Sequence, residues 1–131
     1  ECAEGQIWEA VMAANQYKLD NLTAIVDHNG IQLSGFTKDV LNIEPFNQKF
    51  AAFGWNVIEI DGHDIAQVIN ALNKAKEFKG KPSIIIAHTV KGKGCCVVEN
   101  KAESHNIKVP DEEAYAKYLA GLGGTAVKLP Y

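Results

Sequence analysis

Three short apolar runs, separated by stretches of helical periodicity, constrain this chain more than any other feature. The runs are Thr23 to Asp27, Asn56 to Ile60 and Ser83 to Thr89. Each is rich in β-branched residues and bounded by turn-forming residues, which predicts a strand. Gly5 to about Lys18 precedes the first run, with Ile7, Trp8, Val11, Met12 and Ala14 at helical spacing. Between the runs lie two further helical stretches. Glu44 to Phe53 predicts a short helix with Pro45 in its first turn and Gly54 ending it. Asp64 reads as an N-cap with Gln67 three residues on, a capping-box spacing. Ile65, Val68, Ile69, Leu72 and Ala75 then form one apolar stripe.

Strands apolar on both faces and separated by helices predict an α/β fold with a mainly parallel sheet. Such sheets bind ligands beyond the carboxyl ends of their strands. The loops after Asp27, Ile60 and Thr89 are therefore expected to share one rim, with Asn29 and His105 on two of them. Val90 to Val109 reads as a long glycine-containing loop. Glu112 to Leu119 reads as a last helix, and residues 120–131 as a flexible C-terminal tail. The chain opens at a helix, whereas doubly wound domains usually open with a strand, so either the domain starts unusually or the expected sheet lacks its first strand.

The 131 residues are one domain's worth. Apolar residues make up 47% and charged residues 22%, enough to bury a core. A net charge of -3, with no basic stretch longer than Lys91-Gly92-Lys93, argues against a nucleic-acid partner. No apolar run approaches bilayer length and no signal peptide is visible, so no membrane partner is expected. Cys2, Cys95 and Cys96 lack disulfide-framework and zinc spacing. Reduced thiols in a cytoplasmic protein are the plain expectation.

Several constellations could carry chemistry. Asp27-His28-Asn29-Gly30-Ile31 follows a strand directly, and a sharp turn there presents an amide oxygen and backbone carbonyls to one point. Hard cations take such ligands, although Asn-Gly also makes an ordinary turn. Glu4 and Glu9 sit at the start of the first helix, where acids also simply favour the macrodipole. His105, in Glu103-Ser104-His105-Asn106, could donate to phosphate or relay protons, or be a solvated surface residue. His28, His63 and His88 are further candidates. Lys91-Gly92-Lys93-Gly94 could cradle phosphate but lacks the Walker pattern and a following helix.

Taken together, these stretches resemble transketolase. Glu4-Gly5 with Trp8-Glu9-Ala10 is similar to the segment just after that family's Gly-Asp-Gly motif. Lys18-Leu19-Asp20-Asn21-Leu22 and Val26-Asp27-His28-Asn29-Gly30-Ile31 resemble the second half of its cofactor motif. Phe53-Gly54-Trp55, Asp61-Gly62-His63-Asp64, Lys81-Pro82-Ser83, Thr89-Val90-Lys91-Gly92-Lys93-Gly94 and Ser104-His105 complete the pattern in order. The resemblance runs from residue 1 to about residue 118.

The resemblance implies a partial, diphosphate-binding domain of the three-layer thiamine-diphosphate-binding fold over residues 1–131. It implies transfer of a two-carbon ketol unit from a ketose phosphate to an aldose phosphate, with thiamine diphosphate supplying the carbanion chemistry. A divalent metal, Mg2+ with Ca2+ or Mn2+ as alternatives, would be held by the Asp of Gly-Asp-Gly, the side chain of Asn29 and the backbone carbonyl of Ile31. His105 matches a histidine near both diphosphate and substrate, and Glu4 and Glu9 match acidic residues at the interface between paired sites. Glu4 is also counted among the cofactor-binding positions. The implied partner is a pyrimidine-domain, C-terminal subunit or domain, in a homodimer or heterotetramer, and the implied setting is the pentose phosphate pathway.

The departures from the family pattern are specific. Gly-Asp-Gly does not precede the first helix within these residues. The family's His-Gly is here His105-Asn106, and Asn tolerates the left-handed conformation better than most residues. The loop from Lys93 to His105 is close to the version of split, two-chain transketolases. The catalytic glutamate of the second thiamine-binding domain is absent, so the isolated chain is expected to be inactive. Substrate preference lies mostly outside these residues, which leaves unusual donor specificity open. Another thiamine-diphosphate enzyme, such as deoxyxylulose-phosphate synthase, and a noncatalytic α/β binding module are the alternatives.

Overall fold

The computed structural model describes residues 1–106 and 111–123. The elements in chain order are α1 (Gly5–Gln16), β1 (Thr23–His28), β2 (Ile31–Gln32), β3 (Gly35–Phe36), α2 (Thr37–Val40), α3 (Phe46–Ala52), β4 (Asn56–Asp61), α4 (Ile65–Glu77), β5 (Ser83–His88), a 3-10 helix (Ala102–Asn106) and α5 (Glu112–Gly121). They form two compact units. The first holds Glu1–Asn29 and Leu41–Thr89; the second holds Gly30–Val40 and the described residues from Val90 on.

The first unit is an α/β sandwich around a three-stranded parallel sheet in the order β1-β5-β4. In register, Thr23 and Asn56 flank Ser83 at one end, and His28 and Asp61 flank His88 at the other. β5 is central and carries Ile84, Ile85 and Ile86 at 1–2% exposure. Each such side chain contributes about 1.5–3 kcal/mol by leaving water. Ile84 and Ile86 face α1 and α3, meeting Val11, Ala14, Phe46, Phe50 and Trp55. Ile85 faces α4 with Ile58, Ile60, Val68, Ala71 and Ala75. The buried Trp55 indole donates to the Val11 carbonyl at 2.9 Å, tying the end of the α3 segment to α1.

The predicted strands and long helices are present, with shifted ends. β1 reaches His28 and β4 reaches Asp61, while β5 stops at His88. α3 is shorter than expected: Pro45 stands at the N-cap in an extended conformation rather than in the first turn. Gly54, at a φ of 85°, closes that segment as expected. Asp64 caps α4 by accepting from the Ala66 and Gln67 N–H groups at 2.9 and 3.1 Å. The Gln67 side chain does not return to the Asp64 N–H; it donates to the Asp64 carboxylate and accepts from the Asp61 N–H. Of the predicted apolar stripe, Val68 and Ala75 pack inward. Ile65, Ile69 and Leu72 stay exposed, and Ala71 takes the buried place instead.

In the second unit, β2 and β3 form a hairpin joined by Leu33 and Ser34, pairing Ile31 with Phe36. Neither strand is predicted by the sequence, because two residues are too short to show a period. The stretch from Val90 is not an open loop. Its turns bond internally, through Cys95 N–H to Gly92 O, Glu99 N–H to Cys95 O and Asn100 N–H to Lys91 O at 2.8 to 3.0 Å, and they lead into the 3-10 helix. Residues 107–109 of the predicted loop lie outside the described residues. So do residues 124–131 of the predicted tail, while Ala120 and Gly121 belong to α5. No helix among the described residues is long and apolar enough to cross a membrane.

Candidate functional site

The alternation that packs Ala24, Val26, Val57, Ile84 and Ile86 on one sheet face continues to the strand ends, where it sets polar residues. His28, His88 and Glu59 follow in the same period-two positions. They meet there. The two Nδ1 atoms of His28 and His88 lie 2.8 Å apart. His28 Nε2 bonds the Glu44 carboxylate, and His88 Nε2 lies 3.0 Å from Glu59. Asn47, at the start of α3, donates to Glu59 at 2.8 Å. Glu44, His28, His88 and Glu59 thus form one relay of side-chain contacts across the rim. The Glu59 carboxyl sits below its ordinary range, first because His88 bonds it and then because Asn47 does. The Phe46 ring packs edge-on to His28 at 5.4 Å.

Beside the relay, Asp27 organises the turn. Thr89 Oγ1 donates to Asp27 Oδ1, and Asn29 Nδ2 donates to Asp27 Oδ2 at 2.9 Å. The second bond turns the amide nitrogen of Asn29 toward Asp27 and its oxygen, a hard donor, to the other side. Gly30 follows at a φ of 70°, the left-handed conformation expected of an Asn-Gly turn. The neighbouring loop approaches closely: a Cβ on Gly62 would stand 2.4 Å from Thr89 Cγ2. The His63 N–H donates to Asp61 Oδ1 at 2.8 Å, so its backbone serves that turn.

The other predicted residues are placed as follows. Asn29 ends its segment of the first unit, while Ile31 and His105 belong to the second. Ile31 is buried in β2. His105 is exposed in the 3-10 helix, with Lys91 Nζ 3.1 Å from its Nδ1. Glu4 is the N-cap residue of α1, but its carboxylate makes no capping bond; it accepts from the Gln6 side chain. Glu9 lies beyond the first turn and is exposed. Glu4, at the N-cap of α1, stands where the macrodipole favours an acid, as the alternative expects, while Glu9 does not.

One simpler reading is decided by geometry. The Lys91–Gly94 segment is not an open phosphate cradle. The Lys93 N–H bonds Val90 O, the Gly94 N–H bonds the Glu99 carboxylate at 2.7 Å, and the Cys95 N–H bonds Gly92 O. Burial pushes the Cys2 thiol pKa up. Among the described residues no three or more His, Cys, Asp or Glu side chains gather as a metal site. Sequence reasoning misses Glu44, Glu59 and Asn47. The available signal is the continued alternation of β4, which brings Glu59 to the same face as His88.

A parallel sheet with helices on both faces and a polar rim at its strand ends defines an α/β ligand-binding domain. The relatives of the chain specify which one. Residues 1–124 match the transketolase thiamine-diphosphate-binding domain. A 6-deoxy-6-sulfo-D-fructose transketolase subunit from a Clostridium species is 46% identical over 86% of this chain and 41% of its own length. An apulose-4-phosphate transketolase subunit from Phocaeicola vulgatus is 44% identical over 98% of this chain and 46% of its own. The crystal structure of Campylobacter jejuni transketolase superposes with a TM-score of 0.83 at 35% identity, covering 95% of this chain and 19% of that one. Transketolase from Leishmania mexicana gives 0.83 at 32% identity, over 95% and 18%. The chain belongs to the transketolase family, as part of its thiamine-diphosphate-binding domain. It spans less than half the length of these curated relatives.

Proposed function

We propose that this chain is the diphosphate-binding part of a transketolase that moves a two-carbon ketol unit from a ketose phosphate to an aldose phosphate. The match of residues 1–124 to the thiamine-diphosphate-binding domain carries the reading. Neither deoxyxylulose-phosphate synthase nor a noncatalytic module is favoured by that match or by the names of the relatives.

The chemistry of the donor set fits a hard divalent cation. Asn29 supplies an amide oxygen whose orientation is fixed through Asp27, and Ile31 would add a backbone carbonyl. Two neutral oxygens do not hold such an ion alone, so the diphosphate and a carboxylate from outside these residues would complete the shell. Mg2+ is the proposed ion, with Ca2+ or Mn2+ as substitutes. Thiamine diphosphate, when bound, supplies the electron sink for ketol transfer. The residues of this chain bind and orient: Asn29 and Ile31 hold the ion, and His105 hydrogen-bonds the diphosphate or the donor sugar. Glu4 and Glu9, exposed at the start of α1, are proposed to face a second subunit, Glu4 also lying next to the cofactor.

The partner is proposed to be a pyrimidine-domain subunit or domain, in a homodimer or heterotetramer; the relatives are themselves named as subunits. The unpaired thiols of Cys2, Cys95 and Cys96 support a cytoplasmic setting. The relatives' names widen the proposed donors beyond the pentose phosphates, to ketoses carrying a phosphate or a sulfo group. A coupled assay of the full-length protein with its partner tests this, using ketose phosphates and a sulfo-ketose as donors and aldose phosphates as acceptors. Ketol transfer that requires thiamine diphosphate and is lost in Asn29→Ala is the expected result. Absence of transfer from every donor, with cofactor bound, would overturn the assignment.

A further inference from the structure

Lys91 has no part in the site as proposed so far, yet its side chain meets the imidazole of His105. The Lys91 carbonyl accepts from the Asn100 N–H at 2.9 Å, which closes the turns between them and holds the base of the lysine in place. The 3-10 helix carrying His105 is started by the Ser104 N–H bonding the Lys101 carbonyl at 3.1 Å. Lys101 itself is directed elsewhere, its Nζ donating to the Val97 carbonyl at 2.7 Å. Lys91 Nζ reaches His105 Nδ1 at 3.1 Å.

A lysine ammonium has three donors and no acceptor. A bond from it to Nδ1 requires a lone pair on that nitrogen. An imidazolium has none, and a neutral ring protonated at Nδ1 has none there either. The contact is therefore compatible with one form of His105: the neutral ring with its proton on Nε2.

We infer that Lys91 is a positioning residue for His105: by occupying Nδ1 it holds the imidazole as the Nε2–H tautomer, which presents a hydrogen-bond donor. This deepens the proposed function and rests on it for its purpose. Oxygens of a diphosphate or of a ketose donor accept hydrogen bonds, so an Nε2–H meets them productively, whereas a bare Nε2 would set lone pair against lone pair. The Lys91 charge favours the same anions. Lys91→Arg keeps the charge and the donors; Lys91→Met keeps most of the apolar stem and removes both.

The test uses the full-length protein labelled with 15N-histidine, without cofactor, read by long-range 1H–15N correlation at a pH where free imidazole is neutral. The His105 signals are assigned by their loss in His105→Gln. Wild type is expected to show a single tautomer, with Nε2 protonated and Nδ1 bare. Lys91→Met is expected to shift both nitrogens toward the averaged values of a freely exchanging ring, and Lys91→Arg to restore the wild-type pattern. An averaged or Nδ1-protonated pattern in wild type overturns the inference, as does an unchanged pattern in Lys91→Met. The measurement does not depend on activity. A protein with the single-tautomer pattern, bound cofactor and no ketol transfer supports the Lys91–His105 lock and overturns the proposed function instead.

Discussion

Asp27 accepts from two side chains at once, Thr89 Oγ1 on one oxygen and Asn29 Nδ2 on the other. That bracket makes the aim of the Asn29 amide a property of the fold rather than of the turn alone. Asp27→Ala is expected to leave the protein folded and to weaken cofactor–metal binding. The loss corresponds to one hydrogen bond, about 1 kcal/mol or about fivefold in affinity, read by fluorescence titration. Unchanged affinity would show that the amide is aimed by something else. Glu59 offers a second residue-scale test. Its folded pKa lies below the ordinary carboxylate value because His88 and Asn47 bond the ionised form. The associated stability is therefore present above the unfolded pKa and is lost as pH falls through the folded one. Thermal melts of wild type and Glu59→Gln should differ at neutral pH and converge in acid, once the pH has fallen through the lowered folded value. A constant difference across that range would contradict the linkage.

At the scale of elements, the core of the first unit depends on α3 and the residues that follow it. Phe50 is 2% exposed and packs between Trp8 and Trp55, with ring centroids 5.4 and 5.7 Å away. Phe50→Ala should cost about 3–5 kcal/mol. Trp55→Phe should cost less, about 1–3 kcal/mol, by leaving the Val11 carbonyl without its indole donor. Denaturant unfolding measures both, and a reversed order would contradict this account of the packing. The same elements show what can be read from sequence. β5 and α4 are legible because their patterns are long: an unbroken buried run from Ser83 to Ala87, and a 13-residue helix opened by a capping aspartate. The α4 stripe misleads in part, since apolar spacing tells which face is apolar and not how much of it a sheet three strands wide can cover. The β2–β3 hairpin and the turns after Val90 are illegible because local hydrogen bonds, not periodicity, hold them. Of the proposed ion ligands, Asn29 is singled out in the sequence by its strand-end turn. Glu44 escapes notice because only the approach of α3 to the rim brings it to His28.

At the scale of the whole molecule, this chain is part of a thiamine-diphosphate-binding domain and is proposed to carry one side of a bipartite cofactor site. The family resemblance assigns the group that activates the aminopyrimidine of thiamine to the other side. The isolated 131 residues should accordingly show no ketol transfer, and turnover by this chain alone would contradict the division of labour. The central claim is that Asn29 helps hold thiamine diphosphate through a divalent cation. Calorimetric titration of thiamine diphosphate with Mg2+ into the full-length protein and its pyrimidine-domain partner tests it most directly. Saturable binding that disappears in Asn29→Ala while the melting temperature is retained is the predicted result. Equal binding by wild type and Asn29→Ala would contradict it.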